Sequence, residues 1–184
     1  HAFISMVAFV ATTRITAGHI KHEAYGRLIL GDYHQNAAAA CQALADSFNQ
    51  AGVETAISAN VQKDRWKKSI WNASFNPLSV ATNGADTGKL LGTPEAEQLV
   101  RNLMAEVIAV AAADGFTLSA DLIDKNLATT RAMPPYHTSM AVDYLNGHAI
   151  ELEAILGNIV RIAERKKLSV PHLNTLYQTL LLRQ

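Results

Sequence analysis

The sequence predicts an α+β chain in which a short strand-rich segment precedes a larger, all-helical one. Residues from about Phe3 to Gly31 are rich in β-branched and aromatic side chains, and Gly18 and Gly26 divide them into what we expect to be three short strands. After Tyr33 the sequence becomes rich in alanine, and its apolar residues recur at helical spacing. Hydrophobic residues make up 49 % of the 184 residues and charged ones 17 %, which is typical of a globular protein with a sizeable core.

Each element follows from local signals. Residues 36–50 predict a helix that Gly52 ends, and residues 53–57 predict one more strand. We therefore expect two domains, residues 1–58 and residues 59–184. The next helix starts near Val61, and we expect a kink or break at Pro77 because proline cannot donate the helical hydrogen bond. Further helices are predicted from a Thr93 cap to Asp114 and over residues 119–129, 138–145, 149–166 and 171–182.

Composition argues against several functional classes. The 16 basic and 16 acidic side chains give no overall charge that would attract nucleic acid or an anionic membrane. Cys41 is the only cysteine, so the chain has no internal disulfide and a cytoplasmic location is expected. No apolar stretch is long enough to span a bilayer. The histidines lack the spacing of a metal site, and residues 84–89 do not match a phosphate-binding loop, so we expect no metal.

The first candidate site is the segment DRWKKSIWNASFNPLSVATN, residues 64–83. Lys68, Asn72 and Asn76 recur every four residues, which places them in one polar file about 12 Å long on a helix. Apolar and aromatic neighbours flank the file, which suggests a partly dry cleft. A solvated helix face is the alternative, although asparagine is a poor helix former that such a face rarely needs.

The second candidate segment, residues 138–158, reads TSMAVDYLNGHAIELEAILGN. Ser139 and Glu151 are its candidate functional residues. Simple capping of helix N-termini would also explain both of them. The residues alone leave these two explanations open.

Together, the two segments resemble the ketopantoate reductase family, also called 2-dehydropantoate 2-reductase. Three features carry the resemblance: the two glycine-containing stretches at residues 18–22 and 26–31, the Lys68-x-x-x-Asn72-x-x-x-Asn76-Pro77 pattern, and the Ser139-Met140 to Gly157 segment. The tail from Val170 to Tyr177 also fits, so the resemblance covers nearly the whole chain.

The resemblance implies the end of a truncated Rossmann domain, followed by an all-α domain like the C-terminal domain of 6-phosphogluconate dehydrogenase. It further implies reduction of a 2-oxo acid by NADPH, with Lys68 as general acid, Asn72, Asn76 and Ser139 as substrate ligands, and Glu151 at the cofactor end of the site. A homodimer through the helical domain would fit the family. The dinucleotide fingerprint does not occur in this chain, so NADPH rests on the resemblance alone.

Two departures and two alternatives remain. Asp86 stands where relatives can use an asparagine, and Tyr136 stands where a small polar residue is common, which leaves the identity of the 2-oxo acid open. A β-hydroxyacid or 6-phosphogluconate type of dehydrogenase also pairs a lysine with an asparagine, but usually has a glycine four residues before the lysine, where this chain has Asp64. A non-catalytic helical module for dimerisation is the second alternative.

Overall fold

The structure is a computed structural model that describes residues 3–183, except for the side chains of Arg14 and Glu23. It divides into two compact units, of which one extends to Arg65 and the other begins at Trp66. The first unit holds a small sheet, and the second holds helices. The predicted α+β class, with a small sheet and a mainly helical remainder, is confirmed.

The first unit is a three-stranded sheet with one helix. Strand β1 (Ile4–Thr16) pairs antiparallel with β2 (His19–Asp32), and β2 pairs parallel with the short β3 (Glu54–Ile57). Helix α1 (Ala38–Gln50) connects β2 to β3 and buries Cys41 and Ala45 against Leu30. Two parallel strands need such a crossover, because the chain must return to the end of the sheet at which the first strand began.

The prediction of three short strands is wrong in one respect, since the second and third form a single strand. Tyr25 and Gly26 both have positive φ angles, 66° and 123°, and the pairing register shifts where β1 passes from Phe9 to Val10. This is a β-bulge, which bends a strand without ending it. Gly26 therefore marks a bulge, while Gly18 marks the turn of the hairpin.

The second unit is built around helix α2 (Val61–Ala81), which starts at the end of the first unit. It also contains α3 (Thr87–Leu90), α4 (Pro94–Ala113), α5 (Asp121–Arg131) and α6 (Ser139–Leu145). A π-helical turn (Glu153–Gly157) leads into α7 (Asn158–Arg165), and α8 (Pro171–Leu181) follows. Their apolar faces share one core, in which Phe75, Met104 and Leu156 are fully buried.

Helix α2 continues through Pro77, so the expected break does not occur. Every residue from Ala73 to Val80 is buried, and packing on all sides of this stretch offsets the hydrogen bond that the proline removes. The continuous helix keeps the residues before and after Pro77 in one register. None of the described helices has the length and apolar character needed to cross a membrane.

Candidate functional site

The polar file predicted from the sequence lies on α2. Lys68, Asn72 and Asn76 are separated by four residues each, and the intact helix sets them along one face over about 12 Å. Their exposure falls along the file, because Lys68 and Asn72 are half-buried whereas Asn76 is only 2 % exposed. The file thus runs from a partly accessible end into the interior of the helical unit.

Aromatic residues line the side of the file. The ring of Trp71 stacks on that of Phe75, with centroids 4.8 Å apart, and on that of Tyr136 at 6.2 Å. The indole Nε1 of Trp71 donates a hydrogen bond of 3.0 Å to Thr130 Oγ1. These contacts hold Trp71, which lies one turn from both Lys68 and Phe75, in a fixed orientation beside the file.

Burial lowers the pKa of Lys68 from its ordinary value. A half-buried ammonium group loses part of its hydration, and this disfavours the charged form. A lysine with a lowered pKa gives up its proton more readily than a lysine on the surface does. The side chain is thus suited to proton transfer.

The amide oxygen of Asn76 is buried, and within the described residues no hydrogen-bond donor reaches it. Leaving such an acceptor unsatisfied costs about 1–3 kcal/mol, which a structural residue would have no reason to bear. The Ser74 hydroxyl is buried in the same way, but it lies about 200° around the helix from Asn72 and from Asn76. Only the Asn76 acceptor therefore belongs to the file.

Ser139 is the first residue of α6 and is exposed. The helix is capped by the residue before it, because Thr138 Oγ1 accepts a hydrogen bond of 3.1 Å from Ala141 N. Capping therefore accounts for Thr138 and does not account for Ser139. Thr138 also lies 2.7 Å from Ser79 Oγ, which brings the start of α6 against the last turns of α2.

Sequence reasoning missed Ser79 and did not recognise the role of Thr138. A threonine directly before a helix is a usual capping residue, so that part of the signal was present. The partner on α2 lies 59 residues away and has no sequence signature.

Glu151 is exposed and lies just before the π-helical turn, where its carbonyl accepts the hydrogen bond of Ile155 N at 3.0 Å. The structure thus brings Thr138, the residue before Ser139, against Ser79 of α2. The placement of Glu151 relative to that file rests on the resemblance alone.

The two departures from the family pattern have structural roles here. The Asp86 carboxylate accepts a hydrogen bond of 2.8 Å from Lys89 N and caps α3. The Tyr136 carbonyl accepts a hydrogen bond of 3.0 Å from Thr87 N, and Tyr136 N donates one of 3.1 Å to Thr87 Oγ1, in addition to the stacking of its ring on Trp71. Across the described residues, no group of three or more potential ligands (His, Cys, Asp or Glu) could hold a metal ion.

Comparison with known proteins adds the family context. The family model described as "Ketopantoate reductase PanE/ApbA C terminal" matches residues 60–184. A 2-dehydropantoate 2-reductase from Nostoc sp. is 34 % identical over 182 residues, covering 96 % of this chain and 57 % of the relative. The crystal structure of 2-dehydropantoate 2-reductase from Methylococcus capsulatus has a TM-score of 0.91 and 45 % identity, covering 97 % of this chain and 62 % of that one. The corresponding structure from Geobacter metallireducens has a TM-score of 0.94 and 31 % identity, covering 98 % and 60 %.

Proposed function

We propose that this chain, which belongs to the ketopantoate reductase family, carries the substrate-binding and proton-donating residues of an NADPH-dependent reductase of a 2-oxo acid. The match of the family model over residues 60–184 shows the membership. The chain spans 57 % of the length of the Nostoc relative, so the activity of the whole protein is part of the proposal. The 2-oxo acid is ketopantoate, which is reduced to pantoate, or a close analogue.

One observation carries the proposal. A half-buried lysine with a lowered pKa shares a helix face with Asn76, whose amide oxygen is buried without a donor. This pair of features is what a site for a small polar molecule needs, because the lysine supplies a proton and the orphan acceptor awaits a hydrogen bond. A helix face exposed to solvent, which is the alternative explanation, would bury neither residue.

Lys68 acts as the general acid in this proposal. When bound, the reduced nicotinamide supplies a hydride to the keto carbon, and negative charge then develops on the keto oxygen. The Lys68 ammonium, held beside that oxygen, stabilises the charge and donates its proton from Nζ. Partial burial strengthens the electrostatic interaction and eases the release of the proton, which is the direction of the pKa change.

Asn72, Asn76 and Ser139 bind and orient the substrate. Each amide can both donate and accept a hydrogen bond, which suits a molecule that carries carboxylate, keto and hydroxyl groups. The buried Asn76 oxygen accepts from a substrate hydroxyl, and the Ser139 hydroxyl approaches from α6. Substrate held at several points in this way meets the ammonium in a fixed orientation.

The cofactor is bound mostly by residues that this chain does not supply. The chain has no glycine-rich fingerprint, so we assign the phosphate-binding residues to the part of the relatives that it does not span. Within this chain we assign only Glu151 to the cofactor. Its exposed carboxylate can accept hydrogen bonds from the hydroxyl or amide groups of NADPH.

The domain assignment forms part of the same proposal. Residues 1–58 represent the end of the nucleotide-binding Rossmann domain, and residues 59–184 represent an all-α catalytic domain related to that of 6-phosphogluconate dehydrogenase. The parallel β2–α1–β3 arrangement supports the first assignment. We also propose that the protein forms a homodimer through its helical domain and acts in the cytoplasm.

A substrate panel on the intact protein that contains this chain tests the function. We expect ketopantoate or a close 2-oxo acid to be reduced with NADPH, and with NADH less efficiently. Oxidation of 3-hydroxy acids with NADP⁺, but no reduction of 2-oxo acids, would favour a β-hydroxyacid type of dehydrogenase instead. A protein that binds no nicotinamide cofactor in a fluorescence titration would be a non-catalytic helical module.

A further inference from the structure

Two buried hydroxyl groups connect the last turns of α2 to the start of α6. Ser79 Oγ donates a hydrogen bond of 2.7 Å to the Asn76 carbonyl, and it lies 2.7 Å from Thr138 Oγ1. Ser79 is 0 % exposed and Thr138 is 1 % exposed. Because Ser79 donates its only hydroxyl proton to the Asn76 carbonyl, Thr138 must be the donor and Ser79 the acceptor in the hydrogen bond between the two side chains.

The direction of every bond in this chain of contacts is therefore fixed. Ala141 N donates to Thr138 Oγ1, Thr138 donates to Ser79 Oγ, and Ser79 donates to the Asn76 carbonyl. Neither hydroxyl can turn to another partner without leaving a buried polar group unsatisfied. This set of hydrogen bonds thus has one low-energy arrangement, which fixes the distance between α2 and α6.

We propose that Ser79 and Thr138 are positioning residues that fix Ser139 relative to Asn76 and so set the geometry in which the substrate is bound. This inference rests on the function proposed above. Ser139 follows Thr138 directly, so their Cα atoms lie about 3.8 Å apart. The two hydrogen bonds from Thr138 through Ser79 to the Asn76 carbonyl form a bridge between α6 and α2. One proposed ligand, Asn76, lies at one end of this bridge, and another, Ser139, directly follows the other end.

The residues before Thr138 are anchored to the same region. The backbone of Tyr136 is bonded to Thr87 twice, and His137 Nδ1 lies 2.9 Å from the Gly84 carbonyl. Three successive residues, 136 to 138, are thereby fixed to the chain that follows Asn76. The chain that leads into Ser139 is thus held in place by hydrogen bonds.

A positioning role matters here because the proposed ligands come from helices far apart in sequence. A displacement of about 1 Å between two binding groups can reduce kcat/KM by as much as a hundredfold. Apolar packing between α2 and α6 would tolerate small sliding movements, whereas a directional bond between buried hydroxyls does not. The bridge therefore acts on the substrate through Ser139.

The test is a double-mutant cycle in the intact protein, with Ser79→Ala and Ser139→Ala measured singly and together against the preferred 2-oxo acid. We expect Ser79→Ala to raise KM about tenfold while kcat changes much less. In the Ser139→Ala background the same change should raise KM no further, because the bridge acts through Ser139. Thr138→Ser, which keeps the hydroxyl, should retain a KM close to that of the wild type.

Ser74→Ala is the matched control. It makes the same substitution at another fully buried serine of α2, which lies about 200° around the helix from Asn76 and, within the described residues, has no hydrogen-bond partner for its hydroxyl. We expect an unchanged KM. KM effects of Ser79→Ala and Ser139→Ala that multiply in the double variant would overturn the positioning role.

Hydrogen exchange at the backbone amides of residues 139–142 gives a second result that does not need turnover. Ser79→Ala should accelerate exchange there, and Ser74→Ala should not. If the intact protein reduces no 2-oxo acid, the proposed function fails, yet this comparison still decides whether the bridge holds α6. Unchanged exchange in Ser79→Ala would overturn the proposal. Should that variant fail to fold, Ser79→Cys, which keeps the size and only a weak hydrogen bond, is measured in the same way.

Discussion

At the level of single residues, burial changes the acidity of Lys68. The partial loss of hydration lowers the pKa of its ammonium below the ordinary lysine value of 10.5. If Lys68 donates the proton, kcat for reduction should fall as the pH rises through this lowered pKa. A pH–rate profile measures the fall, and a rate that stays constant up to the ordinary pKa of lysine would contradict the assignment.

The same pKa change has a consequence for stability. Between the lowered pKa and 10.5 the unfolded chain binds more protons at Lys68 than the folded protein does. The free energy of unfolding therefore increases as the pH rises through this window, because the folded protein no longer has to hold a charged Lys68 in a half-buried place. Below the window, the folded protein bears the full cost of desolvating the Lys68 ammonium. Urea unfolding across the alkaline range should show this gain in the wild type and not in Lys68→Met.

Asn76 gives a prediction in which stability and function separate. Asn76→Ala removes a buried acceptor that has no donor, so the free energy of unfolding should stay within about 1 kcal/mol of the wild type. The KM for the 2-oxo acid should rise, because a substrate ligand is lost. Asn126→Ala, on α5, serves as the control and should leave KM unchanged. A large loss of stability with normal KM would instead make Asn76 a structural residue.

At the scale of elements, helix α8 depends on a glutamate from α4. The Glu106 carboxylate accepts hydrogen bonds from the backbone nitrogens of His172 and Leu173, at 3.0 and 2.8 Å, and it lies 2.6 Å from His172 Nδ1. It caps a helix whose own Val170 provides no side-chain cap. This contact secures the last helix to the core.

We expect Glu106→Ala to lower the free energy of unfolding by about 1–2 kcal/mol, the usual cost of losing an N-terminal cap. Chemical denaturation measures the loss. Glu164→Ala, which removes an exposed glutamate of α7, should cost far less. Equal effects of the two substitutions would show that the cap contributes nothing.

The elements also show how far local sequence signals reach. The start of α2 at Val61 and that of α4 at Pro94 agree with the predictions, because capping and helical periodicity act over a few residues. The outcome at Pro77 was not predictable in this way, since burial on all sides of the helix decides it. The π-helical turn, residues 153–157, likewise has no marker in the helical periodicity of its sequence.

At the scale of the whole molecule, the helical unit has a core of its own. The large cluster of buried residues runs from Trp66 to Leu180, while Leu30, Cys41 and Ala45 form a separate small cluster. Helix α2 is capped by Asn60, whose side chain accepts a hydrogen bond of 3.0 Å from Lys63 N. A fragment that begins at residue 60 therefore contains both its core and its first cap.

We expect a fragment of residues 60–184 to fold by itself. Its circular dichroism should be strongly helical, and its thermal unfolding should be cooperative, because the burial that stabilises the helices lies within the fragment. A broad, non-cooperative transition would mean that the helical unit needs the sheet-containing unit to reach its native packing.

The candidate site was predictable only in part. The file of Lys68, Asn72 and Asn76 follows from spacing along one helix, which is a local property. The approach of Ser139 depends on Thr138 meeting Ser79 across 59 residues, and no local pattern encodes that contact. The resemblance to the family supplied Ser139 as a candidate, and the structure links the residue before it, Thr138, to the Asn76 carbonyl through Ser79.

The most direct measurement is turnover by Lys68→Ala in the intact protein, with Lys67→Ala as the matched control. Lys67 is an exposed neighbour on the same helix, so its loss removes the same charge without touching the proposed site. We expect kcat for 2-oxo acid reduction to fall at least about a hundredfold in Lys68→Ala, with little change in unfolding temperature, and to stay near the wild-type value in Lys67→Ala. A Lys68→Ala protein that keeps its kcat within a few-fold of the wild type would contradict the account.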